Sequence, residues 1–79
     1  MELRQLKYFI SVAEQGSFSA AAMELHISQP ALGAQVKKLE EELNVGLFNR
    51  NFNGVELTKA GTRFLSHARD IIGKVEFAE

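Results

Sequence analysis

The chain's single proline stands two residues after a serine, in Ser28-Gln29-Pro30, and this tripeptide constrains the fold more than any other feature. The serine hydroxyl is a helix N-cap. Proline fits the first helical turn, where a missing N–H costs nothing because those amides have no partner inside the helix. A helix therefore starts near Gln29. Leu32, Val36, Leu39 and Leu43 follow at steps of four, three and four, so one face of this helix is buried. Gly33, Gln35, Lys37 and Lys38 lie opposite, with Ala34 near them. Asn44 suits a left-handed stop.

The residues before Ser28 break in the same way. Leu3, Leu6, Phe9, Ile10 and Ala13 form a helical stripe from about Leu3 to Gln15, and Gly16 suits its C-terminal cap. Ser17 and Ser19 are both N-cap candidates for a short alanine-rich helix from about Phe18 to Leu25. His26 and Ile27 interrupt before the third helix. Phe9, Ala21, Ala22, Leu25, Leu32, Val36, Leu39 and Phe48 are expected to form the core.

After Asn44 the pattern changes. Leu47-Phe48 and Val55-Glu56-Leu57 have strand character and flank Asn53-Gly54. Asn-Gly predicts a tight hairpin turn with both residues at positive φ. Thr58 then caps a last helix running to the chain end. Its apolar residues, among them Ala60, Phe64, Ala68, Ile71, Ile72, Val75 and Ala78, approach a heptad repeat. Such a stripe is either core or a dimer seam. Its length favours a seam through Phe64, Ala68, Ile71, Ile72 and Val75, with Ile71 beyond the compact part.

Two short helices joined by a tight turn, the second opened by Ser28, form a helix-turn-helix, and the hairpin makes a wing. The expected class is mainly α: a winged helix-turn-helix with a small two-stranded hairpin wing and a long C-terminal linker helix. A helix N-terminus favours phosphate, and glutamine can pair bidentately with adenine. Small residues at Ala31, Gly33 and Ala34 let the helix sit deep in a groove. Lys37, Lys38 and Arg50 can reach phosphate. Arg50 has a structural alternative, an ion pair with Glu56 across the hairpin, and Ser28-Gln29-Pro30 could be a helix start and nothing more.

Composition narrows the function classes. Forty-six per cent hydrophobic and 24% charged residues are globular values, so the chain is not a disordered tail. Without cysteine there are no disulfides, thiolate metal sites or thiol nucleophiles. His26 and His67 have no further ligand at metal-binding spacing. No Ser/His/Asp arrangement and no phosphate-cradling glycine loop is present, so an enzyme is not expected. No signal peptide or membrane span is visible, which reads as a cytoplasmic protein with no membrane partner. The net charge of −1 argues against indiscriminate nucleic-acid binding. The total conceals two basic blocks, however. Residues 28–39 hold Lys37 and Lys38 with no acid, and residues 43–69 hold Arg50, Lys59, Arg63 and Arg69 against Glu56. The acidic run Glu40-Glu41-Glu42 reads as a solvated helix end facing away from DNA. A protein-interaction module that keeps the winged fold without DNA contact is the competing reading.

An ordered series of short matches resembles the N-terminal DNA-binding domain of LysR-type transcriptional regulators. It comprises Leu3-Arg4-Gln5-Leu6 with Tyr8-Phe9, Gly16-Ser17-Phe18-Ser19 with Ala21-Ala22, and the run from Leu25 to Leu32. It continues through Gln35-Val36, Leu39-Glu40, Leu43, Val45, Leu47-Phe48, Arg50, Leu57-Thr58 and Ala60-Gly61. No single piece is decisive, but the match is collinear over nearly the whole chain.

The resemblance implies a winged helix-turn-helix domain over 1–57, with its motif at about 18–37, and a linker and dimerisation helix over 58–79. It implies sequence-specific binding of double-stranded DNA as a homodimer in bacterial transcription regulation. A tetramer in the full-length protein and RNA polymerase as a further partner belong to the same expectation. It also implies a C-terminal domain, outside this chain, that binds a small-molecule effector; no cofactor is expected within 1–79. The DNA-facing residues it points to are Ser28, Gln29, Pro30, Ala31, Gly33, Ala34, Gln35, Lys37, Lys38, Arg50 and Asn53. Two departures stand out. Gly33 and Ala34 occupy positions where the family usually has serine or threonine followed by arginine. Asn53 stands where the wing usually carries a second basic residue.

Overall fold

The computed structural model describes residues 1–78. Four helices and one hairpin follow in the order α1 (Leu3–Gln15), α2 (Phe18–Leu25), α3 (Gln29–Leu43), β1 (Phe48–Asn51), β2 (Gly54–Leu57) and α4 (Lys59–Ala78). The expected end of the last helix at Glu79 lies outside the described residues.

The boundaries follow from local caps. Ser17 Oγ accepts from the Ala20 amide, and Ser28 Oγ accepts from the Ala31 amide, both at 3.1 Å. Gly16 ends α1 at φ 66, and Asn44 ends α3 at φ 57. Asparagine tolerates this left-handed geometry because its amide can bond locally. His26 ends α2 in the same geometry at φ 58, an unusual conformation for a residue other than glycine. Thr58 caps α4 by accepting from the Gly61 amide at 2.9 Å, and its own hydroxyl donates to the Gly46 carbonyl at 2.6 Å.

Two hydrophobic clusters share the interior. Val12, Phe18, Ala21, Ala22, Leu32 and Val36 close the space between α1, α2 and α3. Leu6, Phe9, Leu39, Leu47, Ala68 and Ile72 close the space between α1, α3 and α4. Phe48 packs against both clusters, with its ring centroid 5.3 Å from Phe9 and 5.8 Å from Phe18. Of the expected core, Leu25 and Phe48 are only half-buried. Leu47, expected to be part of a strand, is fully buried in the loop before β1. Buried Gln5 is satisfied on both sides: its Oε1 accepts from the Glu2 amide, and its Nε2 donates to Gln35 Oε1 at 3.2 Å.

Three features correct the sequence reading. First, the wing turn is not built on Asn53-Gly54. Asn51 pairs with Gly54, so Phe52 and Asn53 are the central residues, and only Gly54, at φ 124, has positive φ. Asn51 Oδ1 accepts from the Asn53 amide at 2.9 Å, a local turn that competes with the Asn-Gly geometry. Second, α4 is part of the domain core as far as Ile72. Ala68 is fully buried against the chain itself and Ile72 nearly so, and Phe64, Leu65 and Ile71 pack on the same cluster. Ile71 therefore does not lie beyond the compact part. Arg69 also pairs with Glu14 of α1 at 3.3 Å. Third, the acidic run is not wholly solvated. Glu40 is half-buried and its Oε2 accepts from the Leu47 amide at 2.7 Å, while Glu42 pairs with the Met1 ammonium.

Candidate nucleic-acid interface

Strand alternation decides where the wing arginine points. Arg50 pairs with Val55 and Asn49 with Glu56, so Arg50 and Glu56 project from opposite faces of the hairpin. The ion pair between them does not form. Arg50 instead lies on the inner face with Phe48, and its Cζ sits 4.2 Å from the centroid of the Phe18 ring. The ring's negative face attracts the guanidinium. Among the described residues Arg50 makes no ion pair, so its donors remain free for a ligand.

This stack closes one side of a cleft of about 350 Å³ lined by Phe18, Gln29, Pro30, Gly33 and Arg50. Three elements meet there: the start of α2, the first turn of α3 and the strand β1. Gln29 and Pro30 are exposed, and Gly33 is half-buried with open space where a Cβ would stand. The exposed face of α3 continues through Ala31, Ala34, Lys37 and Lys38. The two lysines and the positive end of the helix dipole make this face favourable for an anion. The cleft thus brings Gln29, Pro30 and Gly33 of one helix together with Arg50 of the wing.

Other candidates lie elsewhere. Ser28 is exposed, and its hydroxyl is engaged as the α3 cap. Gln35 is half-buried and its amide oxygen is held by Gln5, so it fixes α3 to α1 rather than joining the exposed set. Asn53 is exposed at the wing tip. On α4, Ala68 and Ile72 offer little or no surface to a second chain. Phe64, Ile71 and Val75 are half-buried. At roughly 100° per residue they lie along the flank beside the buried stripe.

Two residues escaped the sequence reading. Phe18 reads as the first residue of an alanine-rich helix, and nothing local announces that Arg50 will lie on its ring. Phe52 is fully exposed at the wing tip. Its signal was an aromatic residue in a turn between Asn51 and Asn53. Among the described residues no group of three or more histidine, cysteine or carboxylate side chains could hold a metal ion. Within the same residues no helix is long and apolar enough to cross a membrane.

Residues 3–62 match the family described as bacterial regulatory helix-turn-helix protein, lysR family. The chain is 54% identical over 78 residues to the HTH-type transcriptional regulator ClcR of Pseudomonas putida, covering 99% of this chain and 26% of that protein. It thus spans about a quarter of this relative's length. The fold matches the CbnR_DBD–DNA complex with a TM-score of 0.95 at 50% identity, covering 99% of this chain and 90% of that one. It matches the BenM_DBD/benA site 1 DNA complex with a TM-score of 0.94 at 41% identity, covering 99% and 91%.

Proposed function

The chain belongs to the lysR family of bacterial regulatory helix-turn-helix proteins, and we propose from that membership that it binds duplex DNA sequence-specifically, as a dimer, to regulate transcription. The cleft that joins Gln29, Pro30 and Gly33 of α3 to Arg50 of the wing carries the reading. The first turn of α3 enters the major groove, where Gln29 reads a base edge. Arg50, steadied on Phe18, and the exposed Lys37 and Lys38 take phosphates. The relatives named above, one a transcriptional regulator and two crystallised with DNA, support the same role.

The half-buried flank of α4 pairs with a second copy of the chain through the parts of Phe64, Ile71 and Val75 that the core leaves uncovered. A two-fold dimer then presents two α3 helices to two half-sites. A small-molecule effector acts on a domain outside these residues, and a tetramer and contact with RNA polymerase belong to the full-length protein. Its site of action is the cytoplasm.

Selection from random duplexes with this chain, followed by a salt titration of the selected site, tests the reading. Two related half-sites and affinity that falls steeply with salt are expected. Absence of any enriched sequence would overturn it in favour of a winged module that binds protein; Gly33, Ala34 and the net charge of −1 are the features that would then be explained.

A further inference from the structure

Phe52 is the most exposed large apolar side chain among the described residues, at 108% of its reference surface. It is presented by a braced turn. Asn51 Oδ1 accepts from the Asn53 amide, and the Val55 amide donates to the Gly16 carbonyl at 3.1 Å. Gly54 packs so closely on Gly16 that a Cβ there would lie 2.4 Å from its carbonyl oxygen. The turn that carries the ring is therefore tied to the end of α1.

Arg50 is the shared wall of two adjacent hollows. One is the cleft with Gln29, Pro30 and Gly33; the other, of about 340 Å³, is lined by Arg50, Asn51 and Phe52. Phe52 thus lies two residues beyond Arg50, at the outer end of the hairpin. With α3 in the major groove and Arg50 on the phosphate ridge bordering it, the next feature met in that direction is the minor groove. The tip residues Asn51, Phe52 and Asn53 carry no charge. Reading there is consequently by contact and by amide hydrogen bonds to minor-groove acceptors, not by cation attraction.

We propose that Phe52 is an apolar wedge that the wing presses into the minor groove flanking the sequence read by α3, giving this chain a preference for a flexible pyrimidine–purine step there. The proposal rests on the DNA-binding reading above. A ring entering the minor groove must part a base step, and pyrimidine–purine steps part most easily. The wedge adds no charge, so it contributes preference at the flank without adding to the salt dependence.

Selection from random duplexes is run in parallel with the wild-type chain, Phe52→Ala and Phe52→Leu. The wild type is expected to enrich TA or CA steps outside the α3 half-site. Phe52→Ala should lose that enrichment and bind the selected duplex about tenfold more weakly. Phe52→Leu should retain most of both, since leucine is also an apolar wedge. The half-site bases and the slope of affinity against salt should be the same in all three. A 2-aminopurine placed at the flanking step should brighten when the wild type binds and not when Phe52→Ala binds. If Phe52→Ala selects the same flank with the same affinity, the wedge is wrong while DNA binding stands, and the ring faces a protein partner or solvent. If the wild type selects no duplex, both readings fall. The side chain touches little of the fold, so circular dichroism should show all three variants equally folded.

Discussion

The Val55 amide donates a 3.1 Å hydrogen bond to the carbonyl of Gly16, which joins the wing to the turn between α1 and α2. The contact is made between strand β2 and the C-terminal cap of α1 rather than between two strands. It works because residue 54 is glycine: φ is 124 there, and a Cβ would meet the Gly16 oxygen at 2.4 Å. The position of the wing relative to the helix-turn-helix is therefore set by backbone, not by side-chain packing alone.

Gly54→Ala should lift the wing from α1. The backbone clash and the unfavourable φ together are expected to cost about 1–3 kcal/mol of stability. The Arg50 stack on Phe18 should loosen with it. Urea denaturation and duplex binding check this; full stability with full affinity would show that the wing is not held at Gly16.

The division of labour along α3 is testable by comparing two exposed positions. Gln29→Ala should relax base preference and weaken specific binding by about 1–3 kcal/mol. Lys38→Ala should weaken binding to all sequences alike and flatten the salt slope by about one unit. Affinities measured on specific and scrambled duplexes at several salt concentrations separate the two. Identical behaviour would refute the split between base and phosphate contacts.

Phe18 holds Arg50 by its ring face, at 4.2 Å, as well as filling the core. Phe18→Leu keeps apolar burial and removes the face. DNA affinity should drop by about 0.5–1 kcal/mol, and the loss should vanish when Arg50 is already alanine. Phe18→Tyr should retain the affinity. Additive effects of Phe18→Leu and Arg50→Ala would show that the stack plays no part in binding.

Ala34 is exposed on the face of α3 that carries Pro30, Lys37 and Lys38. Ala34→Arg places one more cation there. Affinity for generic duplex should rise at low salt, and the salt slope should steepen by about one unit. No gain would mean that this face does not approach DNA.

How much of this was legible in the sequence depends on how local its cause is. The limits of α1, α2 and α3 follow from Gly16, Ser17, Ser28 and Asn44, each acting within a turn of its own position. The pairing of β1 with β2 was visible, but the turn between them was not. Asn51 bonds to the Asn53 amide and Gly54 is taken up by Gly16, so the positive φ expected at Asn53 moves off it. Gln29, Pro30, Gly33 and Arg50 could be named from residue type, whereas their meeting in one cleft required the hairpin to fold back on α2. Gln35 shows the reverse. An exposed-looking glutamine is held by Gln5, thirty residues earlier. The stripe on α4 is legible as apolar, but periodicity alone cannot say which of its residues a neighbouring helix will take.

That ambiguity on α4 yields the sharpest test of the dimer. Ile72 is 9% exposed and packs with Leu6, Phe9 and Leu39, whereas Val75, one turn later, is half-buried on the proposed seam. Ile72→Glu removes about 2 kcal/mol of apolar burial and leaves a carboxylate without a partner in the core. It should unfold the chain or nearly so. Val75→Glu puts its charge at the flank, where water reaches it in the monomer but not in the dimer. The fold should survive, the dimer should dissociate, and DNA affinity should fall because one half-site supplies only part of the contacts. Sedimentation gives the oligomeric state, and circular dichroism gives the fold. If Val75→Glu remains a dimer, the two chains meet elsewhere. If it unfolds like Ile72→Glu, the core extends past Ile72 along α4 and leaves no free flank for a second chain.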